Sequence, residues 1–133
     1  MSLLVDTSAL YAVLDAADAK HKAARKVWTE VLAGDEPLVT TSYILVETVA
    51  LVQHRLGTAA VQLFHSDVLP VLQVQWIDQV IHASAVSALL AAGRRRLSLV
   101  DCVSFEVMRR RLMNTVFAFD PDFRQMGFRC IPE

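Results

Sequence analysis

Glycine and proline are scarce in this chain, at four residues each out of 133. That excludes collagen-like, Pro-rich and flexible low-complexity architectures. No repeat or linker divides the sequence, so residues 1–133 read as one domain. Only two cysteines are present, Cys102 and Cys130. They match no zinc-ligand spacing and read as reduced core thiols of a cytoplasmic protein. Long apolar runs are missing as well. A membrane-spanning helix needs about 18 or more uninterrupted apolar residues, and the best stretch, 42–52, is broken by Glu47. The apolar start, 1–14, has no basic leader and carries Asp6, which argues against a signal peptide. His21, His54, His65 and His82 show no metal-ligand spacing, and no P-loop is present. Neither charge sign dominates: 13 Lys and Arg face 14 Asp and Glu, for a net charge of −1. A broad basic surface for non-specific nucleic-acid binding is therefore absent, unless bound cations reverse the charge of an acidic site.

What is abundant is apolar residue. Hydrophobic side chains make up 54% of the chain and charged ones 20%, and the mean hydropathy is +0.39. Disorder is excluded, and a large core is expected, with an apolar face left for a partner around 39–52 and 61–72. Short apolar runs alternate with helical patterns. Strands are predicted at 3–5, 37–40, 72–77, 115–119 and 129–131. Helices are predicted at 16–33, 41–56, 58–69, 78–92 and 101–114, with Gly34, Gly57, Pro70 and Gly93 as stops. Strand–helix alternation of this kind implies an α/β fold with a mostly parallel central sheet covered by helices.

Four carboxylates stand out against this background. Asp6 and Asp120 each follow a predicted strand, and ligands of open parallel sheets bind at the carboxyl ends of strands. An Asp after a strand is equally a turn former or a helix N-cap. Glu47 lies in the apolar helix Tyr43-Ile44-Leu45-Val46-Glu47-Thr48-Val49-Ala50-Leu51-Val52, where a buried carboxylate needs a cationic partner, either a basic side chain or a metal ion. Asp101 opens the helix after the strand-like run Leu97-Ser98-Leu99-Val100, with Ser104 one turn on; a dipole-complementing cap is the plainer reading. Gathered together, four acids would repel one another unless cations offset them. An oxygen-only set of this kind suits Mg²⁺ or Mn²⁺, and such ions polarise phosphodiesters and lower the pKa of an attacking water.

The motifs resemble those of PIN domains. Val5-Asp6-Thr7-Ser8-Ala9-Leu10 resembles the family's opening. Val46-Glu47-Thr48, Leu97-Ser98-Leu99-Val100-Asp101-Cys102-Val103-Ser104-Phe105 and the closing Phe119-Asp120-Pro121-Asp122-Phe123 with Gly127-Phe128 follow in the family's order. Length and motif style are similar to the toxin ribonucleases of VapBC-type toxin–antitoxin pairs. The resemblance implies an α/β/α sandwich, Mg²⁺- or Mn²⁺-dependent hydrolysis of RNA to a 5′-phosphate and a 3′-hydroxyl, a cognate antitoxin and a homodimer. Asp6, Glu47 and Asp101 match the core metal-site acids, Asp120 the more variable fourth, and Thr7 and Ser104 the nearby hydroxyls. Two positions depart from the pattern. Ala118 stands where a Thr or Ser is common, and Asp122 where a basic residue or His is common, so that Asp122 is a candidate to share or replace the role of Asp120.

RNA also needs basic contacts. Arg94, Arg95 and Arg96 precede the Asp101 segment and are candidates to grip phosphates, although cations at a helix C-terminus also complement its dipole. Arg109-Arg110-Arg111 cannot share one helix face. Trp28 and Trp76 are read as core or interface rather than as base-stacking residues. Two other readings remain open at the level of sequence: a Mg²⁺-dependent phosphatase, for which Asp6-Thr7-Ser8 lacks the usual second Asp, and a PIN-like binding module that has lost activity.

Overall fold

The computed structural model describes residues 2–133. In chain order the elements are β1 (Leu3–Val5), α1 (Thr7–Leu14), α2 (His21–Ala33), β2 (Leu38–Thr41), α3 (Ser42–Leu56) and α4 (Thr58–Leu63). A π turn at Phe64–Val68 and a 3-10 turn at Leu69–Val71 lead into β3 (Gln73–Gln75), α5 (Gln79–Ala92), α6 (Leu99–Arg110), β4 (Thr115–Phe117), α7 (Pro121–Gln125) and β5 (Arg129–Ile131). The five strands form one sheet in the order β3-β2-β1-β4-β5, every pair parallel.

That order decides where chemistry can happen. From β1 the chain steps outward through β2 to β3, then crosses back to lay β4 on the other side of β1. Strand order therefore reverses between β1 and β4, whose carboxyl ends lie side by side with Val5 opposite Phe117. Ligands of open α/β sheets bind at such a switch point. With right-handed crossovers, α1 to α4 cover one face and α5 to α7 the other. The core is dense around the central strands: Leu3, Leu4, Val5, Val39, Val116 and Phe117 are all buried. On the α6–α7 face, Phe105, Phe123 and Phe128 pack as an aromatic cluster.

Several elements differ from the sequence-based expectation, each for a local reason. The helix expected from 16 begins at His21, because the carboxylates of Asp15 and Asp18 accept the backbone N–H groups of Ala17 and Lys20 and hold 15–20 as turns. The whole of α1 goes unpredicted: Ala9, Leu10, Tyr11, Ala12 and Val13 are buried together, so the helix shows no polar face to reveal its period. The expected helix 58–69 is α-helical only to Leu63 and continues as the π turn and then the 3-10 turn, which holds Pro70, a residue with no N–H for a helical bond. The run 97–100 is not a strand. Ser98 caps α6, and Leu99 and Val100 are its first residues. Finally, β4 stops at Phe117, so Asp120 stands three residues beyond the strand rather than directly after it.

Candidate metal centre

The backbone brings four acids to the switch point by four separate local devices. Asp6 leaves β1 and caps α1. Its Oδ2 accepts from the Ser8 backbone N at 3.1 Å and from Ser8 Oγ at 2.6 Å, while its own N donates to Phe117 O across the strand pair. Ser8 Oγ in turn accepts from Phe119 N at 3.0 Å, so one hydroxyl ties the Asp6 carboxylate to the chain leaving β4. Asp101 is the third residue of α6 and closes a capping box: its N donates to Ser98 Oγ at 3.0 Å and its Oδ2 accepts from Ser98 N at 3.4 Å. Asp120 caps α7, its Oδ1 accepting from Asp122 N at 2.9 Å. Glu47 comes from α3, beside the helix's buried ridge of Ile44, Thr48 and Val52. It is half-buried rather than largely buried as its apolar neighbours suggest, because it faces the cavity instead of the core.

These four acids, with Thr7, Ser8, Leu51 and Ser98, line one open cavity of about 340 Å³. Asp6 and Asp101 are only 3% and 7% exposed. Burial pushes the Asp6 carboxyl up to about 6; the Ser8 hydrogen bonds oppose that rise, and the negative charges of Glu47 and Asp120 add to it. Burial, then the charges of Asp6 and Asp120, push Asp101 up to about 7, against the hydrogen bonds from Ser98. Both shifts have the same meaning: carboxylates have been drawn together out of water without a compensating cation. Among the described residues, no basic side chain forms an ion pair with Asp6, Glu47, Asp101 or Asp120. An oxygen-only set with unbalanced negative charge is the donor chemistry that Mg²⁺ and Mn²⁺ require.

Asp122 stands differently. Carboxylate oxygens of Asp101, Asp120 and Asp122 lie within 4.8 Å of one another, a grouping able to hold a metal ion. Asp122, however, already has a cation: Arg94 Nη2 lies 2.6 Å from its Oδ1. The two acidic groupings share Asp101 and Asp120, and only Asp122 is internally neutralised. Arg94 is therefore committed within the protein, while Arg95 and Arg96 remain exposed in the turn before α6.

The supporting hydroxyls separate as well. Thr7 is buried at the cavity and accepts from Thr48 Oγ1 at 3.2 Å, joining α1 to α3. Ser104 is fully buried, donates to Val100 O within its own helix, and is not among the cavity-lining residues. Ser8 and Ser98, not singled out from sequence, hold Asp6 and Asp101 in place; the Ser-x-x-Asp spacing from 98 to 101 is the one visible signal for this pair. The arginine run is accounted for by local contacts: Arg109 lies over the Phe128 ring, Arg110 pairs with Glu106 and Arg111 reaches Gln75. Trp28 is core at 6% exposure, whereas Trp76, expected in core or interface, is 69% exposed just past β3. Cys102 and Cys130 are buried free thiols. Among the described residues no helix is long and apolar enough to cross a membrane.

Comparison with known proteins agrees with this architecture. The PIN domain family model matches residues 3–129. The chain is 35% identical over 128 residues to the 23S rRNA-specific endonuclease VapC20 of two Mycobacterium tuberculosis strains, covering 95% of each protein. Among solved structures, the crystal structure of M. tuberculosis VapC20, described as a sarcin–ricin-loop-cleaving toxin, superposes with a TM-score of 0.86 at 31% identity over 96% of both chains. FitAcB from Neisseria gonorrhoeae (TM-score 0.69, 15% identity, 96% and 95% covered) and DNA-bound VapBC from Salmonella typhimurium (0.69, 13%, 98% and 96%) share the fold.

Proposed function

Because the chain belongs to the PIN domain family, we propose that it is a metal-dependent endoribonuclease, the toxin of a toxin–antitoxin pair, working as a single domain over residues 1–133. The observation that carries this reading is the convergence of Asp6, Glu47, Asp101 and Asp120 on one cavity with, among the described residues, no basic side chain paired to them. The relative named as a 23S rRNA-specific endonuclease makes ribosomal RNA the substrate class of choice. An antitoxin partner, a homodimer and a cytoplasmic place of action follow from the same reading.

Asp6, Glu47 and Asp101 would hold the divalent ion, Mg²⁺ or Mn²⁺, and Asp120 would hold a second ion or orient the attacking water. Asp122, neutralised by Arg94, is the weaker candidate for that fourth role. When bound, the ion offsets the acids' repulsion of a phosphodiester, lowers the pKa of water and stabilises charge on the leaving oxygen. Ser8 keeps Asp6 oriented with one oxygen engaged, and Ser98 does the same for Asp101. The water oxygen bonds to phosphorus as the bond to the 3′ oxygen breaks; the water's proton is lost and the 3′ oxygen gains one, leaving a 5′-phosphate and a 3′-hydroxyl.

The test is cleavage of 23S rRNA, and of total RNA beside it, by antitoxin-free protein in Mg²⁺, Mn²⁺ or EDTA. Discrete cuts that need the ion and vanish in Asp6→Asn and Asp101→Asn are expected. Undiminished cutting in EDTA or in both variants would overturn the assignment. Absence of both cleavage and Mn²⁺ binding would favour the inactive binding module.

A further inference from the structure

A second cleft adjoins the acidic cavity, and Asp120 belongs to both. It has a volume of about 360 Å³, within the roughly 300–1,000 Å³ typical of small-ligand sites. Lys20, Phe119, Pro121 and Arg124 line it, together with Asp120 and with Glu133, whose carboxylate is paired with Arg129. Lys20 and Arg124 have no ion-pair partner among the described residues, whereas Arg94 is paired with Asp122. The half-buried Phe119 ring packs edge-on against Phe117 and carries the Lys20 ammonium 5.8 Å from its centroid. Its backbone N is held by Ser8 Oγ, the same hydroxyl that donates to Asp6. The Phe119 backbone is thus tied to the acidic centre by two hydrogen bonds, and Phe117 packs against its ring.

We propose that this cleft binds the nucleotide adjoining the scissile phosphate of a single-stranded RNA, with the base stacked on Phe119 and the flanking phosphates met by Lys20 and Arg124. The proposal rests on the nuclease reading and adds the substrate's path to it. A strand whose scissile phosphate lies among the acids must run on past Asp120, and every further phosphate is repelled by a site of this charge unless a cation receives it. Phe119 supplies the flat face that single-stranded nucleic acid seeks; the Lys20 ammonium that lies over it in the free protein turns to a phosphate when a base takes its place, and Arg124 lines the same cleft. Stacking on a phenyl ring does not discriminate strongly among bases, so this subsite contributes affinity and register rather than a sequence code.

The two kinds of contact leave different signatures. Binding of a short labelled single-stranded RNA with hydrolysis-resistant phosphorothioate linkages is followed by fluorescence anisotropy across a monovalent-salt series at fixed Mg²⁺, so that the acids carry their counter-charge and the RNA stays whole. Lys20→Gln and Arg124→Gln should each reduce the slope of log affinity against log salt by about 0.7. Phe119→Leu should weaken binding about ten-fold at every salt concentration with the slope unchanged, and Phe119→Trp should retain affinity. Wild-type affinity and slope in all the substitutions would overturn the proposal. So would equal losses in Phe119→Leu and Phe119→Trp, or a matching loss of Mn²⁺ affinity, which would mark damage to the fold. Cleavage by the wild-type chain with Mg²⁺ is scored separately. If it cuts while the variants bind normally, the cleft is refuted and the nuclease reading survives. If the variants behave as expected and no ion supports cutting, the RNA site stands and the nuclease reading falls.

Discussion

Replacing Asp101 by Asn should make the metal-free protein more stable while disabling its metal centre. The Asp101 carboxyl is raised from 3.8 to about 7 by burial and by the charges of Asp6 and Asp120. A folded-state pKa above the unfolded one means that the native state binds the proton more tightly. Stability is then fully present below the unfolded value and drains away as pH rises toward 7. At about 1.36 kcal/mol per pH unit, the ionised group costs up to about 4 kcal/mol at pH 8. Asn keeps an oxygen for Ser98 N but forfeits the favourable charge at the start of α6, a loss of about 0.5–1 kcal/mol. A net gain of about 3 kcal/mol remains, near 10 °C in melting temperature for a chain of this length. Thermal melts in EDTA at pH 8 and pH 5 measure it: the variant should melt higher at pH 8, and the gap should narrow at pH 5, where wild-type Asp101 is protonated. A fixed Mn²⁺ concentration should raise the wild type by more than the variant. A variant less stable than wild type in EDTA at pH 8 would refute the electrostatic reasoning.

Three further outcomes follow from the same geometry. Mn²⁺ affinity should fall as pH drops from 8 to 5, because Asp101 near 7 and Asp6 near 6 must release protons to bind the ion; calorimetry in buffers of different ionisation enthalpy reads the proton release directly. Ser8→Ala should cost about 1–3 kcal/mol by leaving Phe119 N without its acceptor, and should weaken Mn²⁺ binding most at low pH, since the hydroxyl also holds the Asp6 carboxyl down. Arg94→Ala should destabilise the protein by only about 1 kcal/mol, the arginine being 45% exposed. It should also tighten Mn²⁺ severalfold by releasing Asp122 to join Asp101 and Asp120; unchanged affinity in the titration would place Asp122 outside the metal's reach.

The sheet was legible because its central strands are short apolar runs, with Pro37 just before β2, while Gly57 and Gly93 marked the ends of α3 and α5. The helices that escaped are those without a period. Buried on every side, α1 offers no alternation, and α7 is a single capped turn of five residues. The start of α6 was obscured by Leu97-Ser98-Leu99-Val100, which alternates like a strand, although Ser98 and Asp101 carried the spacing of a capping box. The acids were visible one at a time from their positions at element ends, and the order Asp, Glu, Asp, Asp suggested a common site. Their convergence depends on β4 inserting next to β1, a property of the crossovers that no local window contains. Still less visible was the pairing of Arg94 with Asp122, 28 residues apart, which distinguishes two neighbouring acids that look equivalent in sequence. Lys20 and Arg124 were likewise silent, since the cleft they share exists only once β4 and β5 bring the C-terminal segment beside α2.

The metal centre itself is tested most directly by calorimetric titration of Mn²⁺ into the purified chain at pH 8, alongside Asp6→Asn, Glu47→Gln, Asp101→Asn and Asp120→Asn. Saturable binding by the wild type is expected, weakened at least about ten-fold in Asp6→Asn and Asp101→Asn and less in Asp120→Asn. Equal affinity in all five proteins, or no binding by a well-folded wild type, would contradict the assignment of these carboxylates to a divalent ion.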